Sequence, residues 1–149
     1  MYNDGLLGLL DTDTSDGFLG GWEWLFGGRA TAMATTGMGD VFFWDSTTEA
    51  VSWLNVAAGG TIVAIDRDPQ WFLDEYLLKS AILDKVLRRR YFNSLIAARR
   101  PLQYHEVLIL VPWMLLGGED RPEHYTIGHC GVYVDLVGQT IPQLGGQQQ

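Results

Sequence analysis

The chain has 149 residues, 47% of them hydrophobic, with six tryptophans. A single domain of that size buries about 68 to 70% of its unfolded surface, which excludes a disordered chain and makes a core feasible without metal or disulfide. Net charge is −8, with eight acids against Arg29 alone in residues 1–49 and eight of the ten bases in residues 67–100. Acidic flanks around one basic segment disfavour general nucleic-acid binding and suit a basic partner. Cys130 is the single cysteine, so no internal disulfide forms, and a reducing cytoplasm fits. No basic leader precedes an apolar core at the N-terminus, and no apolar run reaches the about 18 residues of a spanning helix. The expectation is a cytoplasmic chain with no membrane contact.

Residues 1–17 hold an apolar piece, Leu6 to Leu10, followed by the acids Asp11, Asp13 and Asp16. Their spacing lacks the Gly and Glu of a calcium loop in register, so they read as caps and surface charge. Phe18 to Phe26 sets large apolar residues among glycines, the pattern of a short, irregular helix. From Thr31 the texture turns to β. Thr31–Thr36, Asp40–Trp44, Ala50–Val56 and Thr61–Ile65 read as a meander of three or four antiparallel strands. Asp68-Pro69 is a helix start, since Asp68 caps and Pro69 is preset for the first turn. The apolar residues from Trp71 to Leu87 are too dense for one stripe, so the helix breaks near Ser80 or two helices follow each other. The second runs through Tyr91 to Ile96 until Pro101 stops it. Arg88-Arg89-Arg90 and Arg99-Arg100 are expected at helix C-termini, where the dipole favours cations.

Val107 to Val111 is an unbroken aliphatic run, which fits a strand buried on both faces near residues 106–111. Pro112 ends the ladder for want of an amide donor, and Gly117-Gly118 turns the chain. Glu106 adjoins this run, so its carboxylate needs an arginine or backbone amides as partners. Residues 126–137 read equally as strand or short helix. The expected fold is α+β, an antiparallel β meander with helices packed on one side, in one domain whose segments 1–17 and 143–149 are peripheral.

No chemistry-bearing constellation stands out. His105, Glu106, His124, His129 and Cys130 have no ligand spacing of the HExxH or CxxC kind, so no metal is expected. Cys130 between small and β-branched residues reads as an inert core thiol. No glycine-rich phosphate loop opens a helix, so no cofactor is expected.

The series Pro101-Leu102, Glu106, Leu110, Pro112, Leu115-Leu116, Gly117-Gly118 resembles, without a gap, a motif in the C-terminal domain family of type VI secretion DNase-toxin immunity proteins. Gly39-Asp40-Val41-Phe42-Phe43-Trp44 resembles a second motif of that family, and residues 68–78 resemble its following helix. The likeness spans residues 38–140 and departs at Arg100, where the family tends to glycine, and at Trp113, where it tends to a small residue. It implies a non-catalytic immunity protein that binds a cognate secreted toxin, a basic nuclease, with no direct contact to nucleic acid. Asp11, Asp13, Asp16 and Glu23 are the expected acidic contacts, with Trp22 and Trp24 as aromatic anchors. A small-ligand-sensing or adaptor domain, with a pocket near Trp113 and Gly117-Gly118, is the alternative. A hydrolase acting through Glu106 and His105 is a third.

Overall fold

The computed structural model of the protein describes residues 3–11 and 18–147. Its centre is an antiparallel sheet of five strands in chain order: β1 (Leu7–Leu9), β2 (Ala30–Thr36), β3 (Val41–Asp45), β4 (Ala50–Asn55) and β5 (Thr61–Asp66). The α+β class and the meander are as expected from the sequence. The fifth strand comes from the apolar N-terminal piece, where Leu6 and Leu7 are buried, so this segment belongs to the core and not to the periphery.

Helices cover both faces of the sheet, which corrects the one-sided packing expected above. The aromatic run of β3 shows why. Val41, Phe42 and Phe43 are all fully buried, and successive side chains on a strand point to opposite faces. Phe42 joins Val51, the helical residues Phe72, Leu83 and Phe92, and Leu87 from the bend before Arg88 on one face. Val41 and Phe43 join Trp22, Phe26, Val134 and Val137 on the other. Each face therefore needs its own cover. A register shift in β2 carries this through: Ala32 pairs with Phe43 and Ala34 with Phe42, so two alanines two positions apart serve opposite faces.

The first cover is built from three helices. Helix α2 (Pro69–Asp74) starts as expected, with the Asp68 carboxylate accepting from the amides of Gln70 at 3.0 Å and Trp71 at 3.2 Å. A 3-10 turn at Tyr76–Leu78 and helix α3 (Ser80–Lys85) follow, so the chain breaks on both sides of the turn and different residues face the sheet. Helix α4 (Arg89–Ala97) is separate from α3 because Arg88 takes a left-handed conformation, φ 54°. The second cover is the 3-10 turn Gly20–Trp22, running into α1 (Glu23–Phe26), and the C-terminal helix α5 (Cys130–Gln147).

A two-stranded sheet, β6 (Glu106–Leu110) and β7 (Tyr125–His129), stands at the end of the meander. The Leu108 amide donates to the Gly37 carbonyl at 2.7 Å, which ties this hairpin to the β2–β3 turn. Residues 126–137 are both strand and helix: β7 ends at His129 and α5 begins at Cys130. Helix α5 contains Pro142 and several glycines, poor helix formers, and is held by burial of Tyr133, Val134 and Val137.

Candidate functional site

The Pro101–Gly118 motif is local scaffolding. Leu102 is buried, its amide donates to the Asp4 carbonyl at 3.0 Å, and a Cβ on Gly5 would fall 2.5 Å from the Leu102 Cβ. Pro101 precedes it at the surface. Strand β6 stops at Leu110, two residues before Pro112. Gly117 has φ +90°, and the Gly118 amide donates to the Trp113 carbonyl at 2.9 Å, which closes the turn. A Cβ on Gly118 would collide with the Pro112 carbonyl.

Glu106 has the partners expected of it. Arg100 grips the carboxylate through both guanidinium Nη atoms at 2.7 and 2.8 Å, and the Gln103 amide donates to Oε1 at 2.7 Å. Those bonds, Arg100 foremost, hold the acid at about 2. An acid so firmly ionised is a weak proton acceptor, so the geometry gives no support to a hydrolase built on Glu106 and His105. Arg100, a position at which the resemblance departs, is the residue that makes this clamp.

The buried acids are elsewhere. Asp40 and Asp45 are 8% and 4% exposed, whereas the Glu106 side chain keeps 22% of its surface. Asp45 joins Arg29 at 3.3 Å and accepts from the Thr47 amide at 2.9 Å, closing the β3–β4 turn. Asp40 closes the β2–β3 turn, its amide donating to Thr36 Oγ1 at 3.1 Å. The residue before it, Gly39, has φ +89°, and any Cβ there would fall 2.6 Å from the Tyr133 ring. This is why position 39 is glycine.

The Asp40 carboxylate faces a cavity of about 160 Å³ between the meander, the α3–α4 junction, the β6–β7 hairpin and α5. Trp53, Lys85, Arg88, Trp113 and Tyr133 stand around it with Asp40. Trp53 Nε1 donates to Asp40 Oδ2 at 3.2 Å. Burial pushes the Asp40 carboxyl up to about 7 from an ordinary 3.8, and Trp53, the Val56 amide and the charge of Arg88 offset only part of that. Burial also raises the Tyr133 hydroxyl above its usual range.

Arg88 is placed by a second acid. It stacks 4.5 Å from the Tyr91 ring and reaches Asp120 Oδ2 at 3.3 Å. Asp120 Oδ1 accepts from the hydroxyls of Tyr91 at 2.8 Å and Tyr125 at 2.7 Å. Partial burial works against the Asp120 charge, but the two hydroxyls and Arg88 outweigh it and keep its pKa low. These contacts hold Arg88 in its left-handed backbone. They also reverse one expectation: Arg88 caps α4 and Arg89 and Arg90 lie in its first turn, the end where the dipole disfavours cations. Asp84, 2.9 Å from Arg89 Nη2, and Asp120 supply the missing compensation. Arg99 does sit at the C-terminal end of α4, its Nη1 donating to the Leu95 carbonyl at 2.9 Å.

The expected contact surface is only partly assembled. Asp11 and Glu23 are exposed, while Asp13 and Asp16 lie outside the described residues. Trp22 is fully buried, which corrects its reading as an anchor for a partner. Its indole donates to the Val134 carbonyl at 2.9 Å. Trp24 is half exposed, stacks on Trp22 with ring centres 6.0 Å apart, and donates to the Gly138 carbonyl at 2.9 Å. That carbonyl is vacant of a helical donor because Pro142, four residues on, has no N–H.

Cys130 is 2% exposed and its thiol is pushed up to about 12 by burial, the profile of an inert core cysteine. Among the described residues no three His, Cys, Asp or Glu side chains converge as a metal site would require. No helix among them is long and apolar enough to cross a membrane. Sequence reasoning had the cavity's neighbourhood through Trp113 but not its polar wall. The available signal was an acid placed directly before the aromatic run of β3.

The sequence matches no family model and no curated protein. Its fold is shared by the crystal structure of Atu4351 from Agrobacterium tumefaciens, with a TM-score of 0.63 and 14% identity over 92% of this chain and 68% of that one. At that identity the likeness concerns the fold alone.

Proposed function

We propose that the chain is an immunity protein that binds a cognate secreted antibacterial toxin, a basic nuclease of the type VI secretion kind, in the cytoplasm and neutralises it without catalysis. The observation that carries this reading is the union of the two motifs of the resemblance. Gly39–Trp44 and Pro101–Gly118 are far apart in sequence, yet the Leu108 amide, within the latter, bonds the Gly37 carbonyl at 2.7 Å, beside the former. Tyr133 bridges the same place, packed on Gly39 and edge-on to Trp113, ring centres 5.9 Å apart. The resemblance therefore describes one continuous scaffold. A net charge of −8 suits a partner that must present cations to grip DNA, and complementary charge speeds such an association.

The test is co-purification and protection with the toxin encoded beside the gene. A stable complex, rescue of toxin-expressing cells and an association rate that falls with salt are expected. Absence of both binding and protection would end this reading. A second reading, a small-ligand-sensing domain, is favoured by one observation, the cavity beside Asp40, and is compatible with the first.

A further inference from the structure

The cavity has two electrically opposite walls. On one is Asp40, buried and hydrogen-bonded to Trp53. On the other are Lys85 and Arg88, from the junction of α3 and α4. Arg88 is committed to Asp120, while Lys85 forms no ion pair among the described residues. A lone anion entering this space would meet the Asp40 carboxylate. A lone cation would meet Lys85 and Arg88. A ligand with one charge of each sign complements both walls, and charge-assisted hydrogen bonds are the strong ones.

Size and lining narrow the class. The volume of about 160 Å³ is close to the engineered apolar cavity of about 150 Å³ that holds benzene, which limits the occupant to roughly six to ten non-hydrogen atoms. Between the charged walls lie Met38, Val86, Leu108 and Trp113. These accept a short hydrocarbon group, and Asn55, Tyr125 and Tyr133 add neutral polar groups to the lining. Ammonium toward Asp40, carboxylate toward Lys85 and an aliphatic side chain against Met38 and Leu108 match the charged and apolar parts of this lining.

We propose that this cavity is a binding site for a free aliphatic α-amino acid, held between Asp40 and Lys85. The inference rests on the ligand-sensing reading and is independent of toxin binding, so either can fail without the other.

The experiment titrates the purified full chain with L-leucine, L-valine and L-alanine, read by thermal shift and calorimetry. Isopentylamine and 4-methylpentanoate, each with one charge of leucine, serve as controls. A saturable rise in Tm of about 3 °C or more is expected with at least one amino acid. Each single-charge analogue should bind at least about tenfold more weakly, since one charge-assisted contact is gone. Lys85→Ala, at the exposed mouth where folding is not at stake, should weaken binding by a similar factor, and Asp40→Asn should do the same. No shift with any of the three amino acids overturns the proposal. So does equal binding of either analogue, which would mark a site for a cation or an anion alone, and so does affinity unchanged in Lys85→Ala.

Discussion

Replacing Asp40 by Asn removes a carboxylate whose ionisation the fold opposes, and the effect is visible only as pH changes. In the native chain burial holds this group at about 7, against an ordinary 3.8. Between those values the native state keeps a proton that the unfolded chain has released. Stability must therefore fall as pH rises through this window, and the cost is complete above it. The full cost is on the order of 4 kcal/mol, and the part incurred between about pH 5.5 and about pH 8 is roughly 2 kcal/mol. Tyr133 and Cys130, facing Asp40 from α5, titrate above this range. Other groups cancel when the variant is compared with the parent. Urea unfolding at the two pH values is the assay. With a slope of about 2 kcal/mol per molar urea, the midpoint of Asp40→Asn relative to the parent should move up by about 1 M on going to the higher pH. A constant difference would refute the reasoning, because it would mean that Asp40 titrates like a hydrated or fully paired acid.

Glu106 has the opposite sign. Its pKa is lowered to about 2 from 4.5, so its stabilisation is present above pH 4.5 and is lost as pH falls toward 2. Glu106→Gln should flatten the acid limb of the stability profile and leave neutral pH behaviour nearly parallel to the parent, measured by urea midpoints at about pH 3 and about pH 6. Gly138→Ala would place a Cβ 2.7 Å from both the Gly21 carbonyl and the Trp22 indole, and should cost about 1 to 3 kcal/mol by overpacking. Trp24→Phe removes the bond to the Gly138 carbonyl and should cost about 1 kcal/mol by chemical denaturation. In a Pro142→Ala background that cost should shrink, since the helix then supplies its own donor; full additivity of the two changes would count against the assignment.

The strands were legible because their residues obey a local rule. Ala50–Asn55 and Thr61–Asp66 fall within a residue of their expected bounds, since β-branched and aromatic runs bounded by turn residues need no tertiary information. Asp68-Pro69 and Gly117-Gly118 were equally plain, as caps and turns act over a few residues. What escaped was set at long range. The break at Arg88 depends on Asp120 and Tyr91, neither adjacent to it in sequence. Helix α5 is β-branched and glycine-rich, so its helicity comes from the sheet it covers. The cavity unites Asp40, Trp53, Lys85 and Trp113, each ordinary in its own segment. Glu106 stands out in the sequence by its place beside an apolar run, although the more secluded acid is Asp40, which reads there as the first residue of a strand.

Proline at 142 leaves the last helix with an acceptor that its own backbone can never fill. The first third of the chain fills it with Trp24, a side chain that also has half its surface toward solvent. Any protein that levers this indole outward to use it as a contact strands the Gly138 oxygen, and must bring a donor or a water to the same spot. A binder that grips Trp24 in place meets no such demand. Two modes of engagement at one tryptophan thus carry different chemical requirements, and only the second leaves the two ends of the chain clasped.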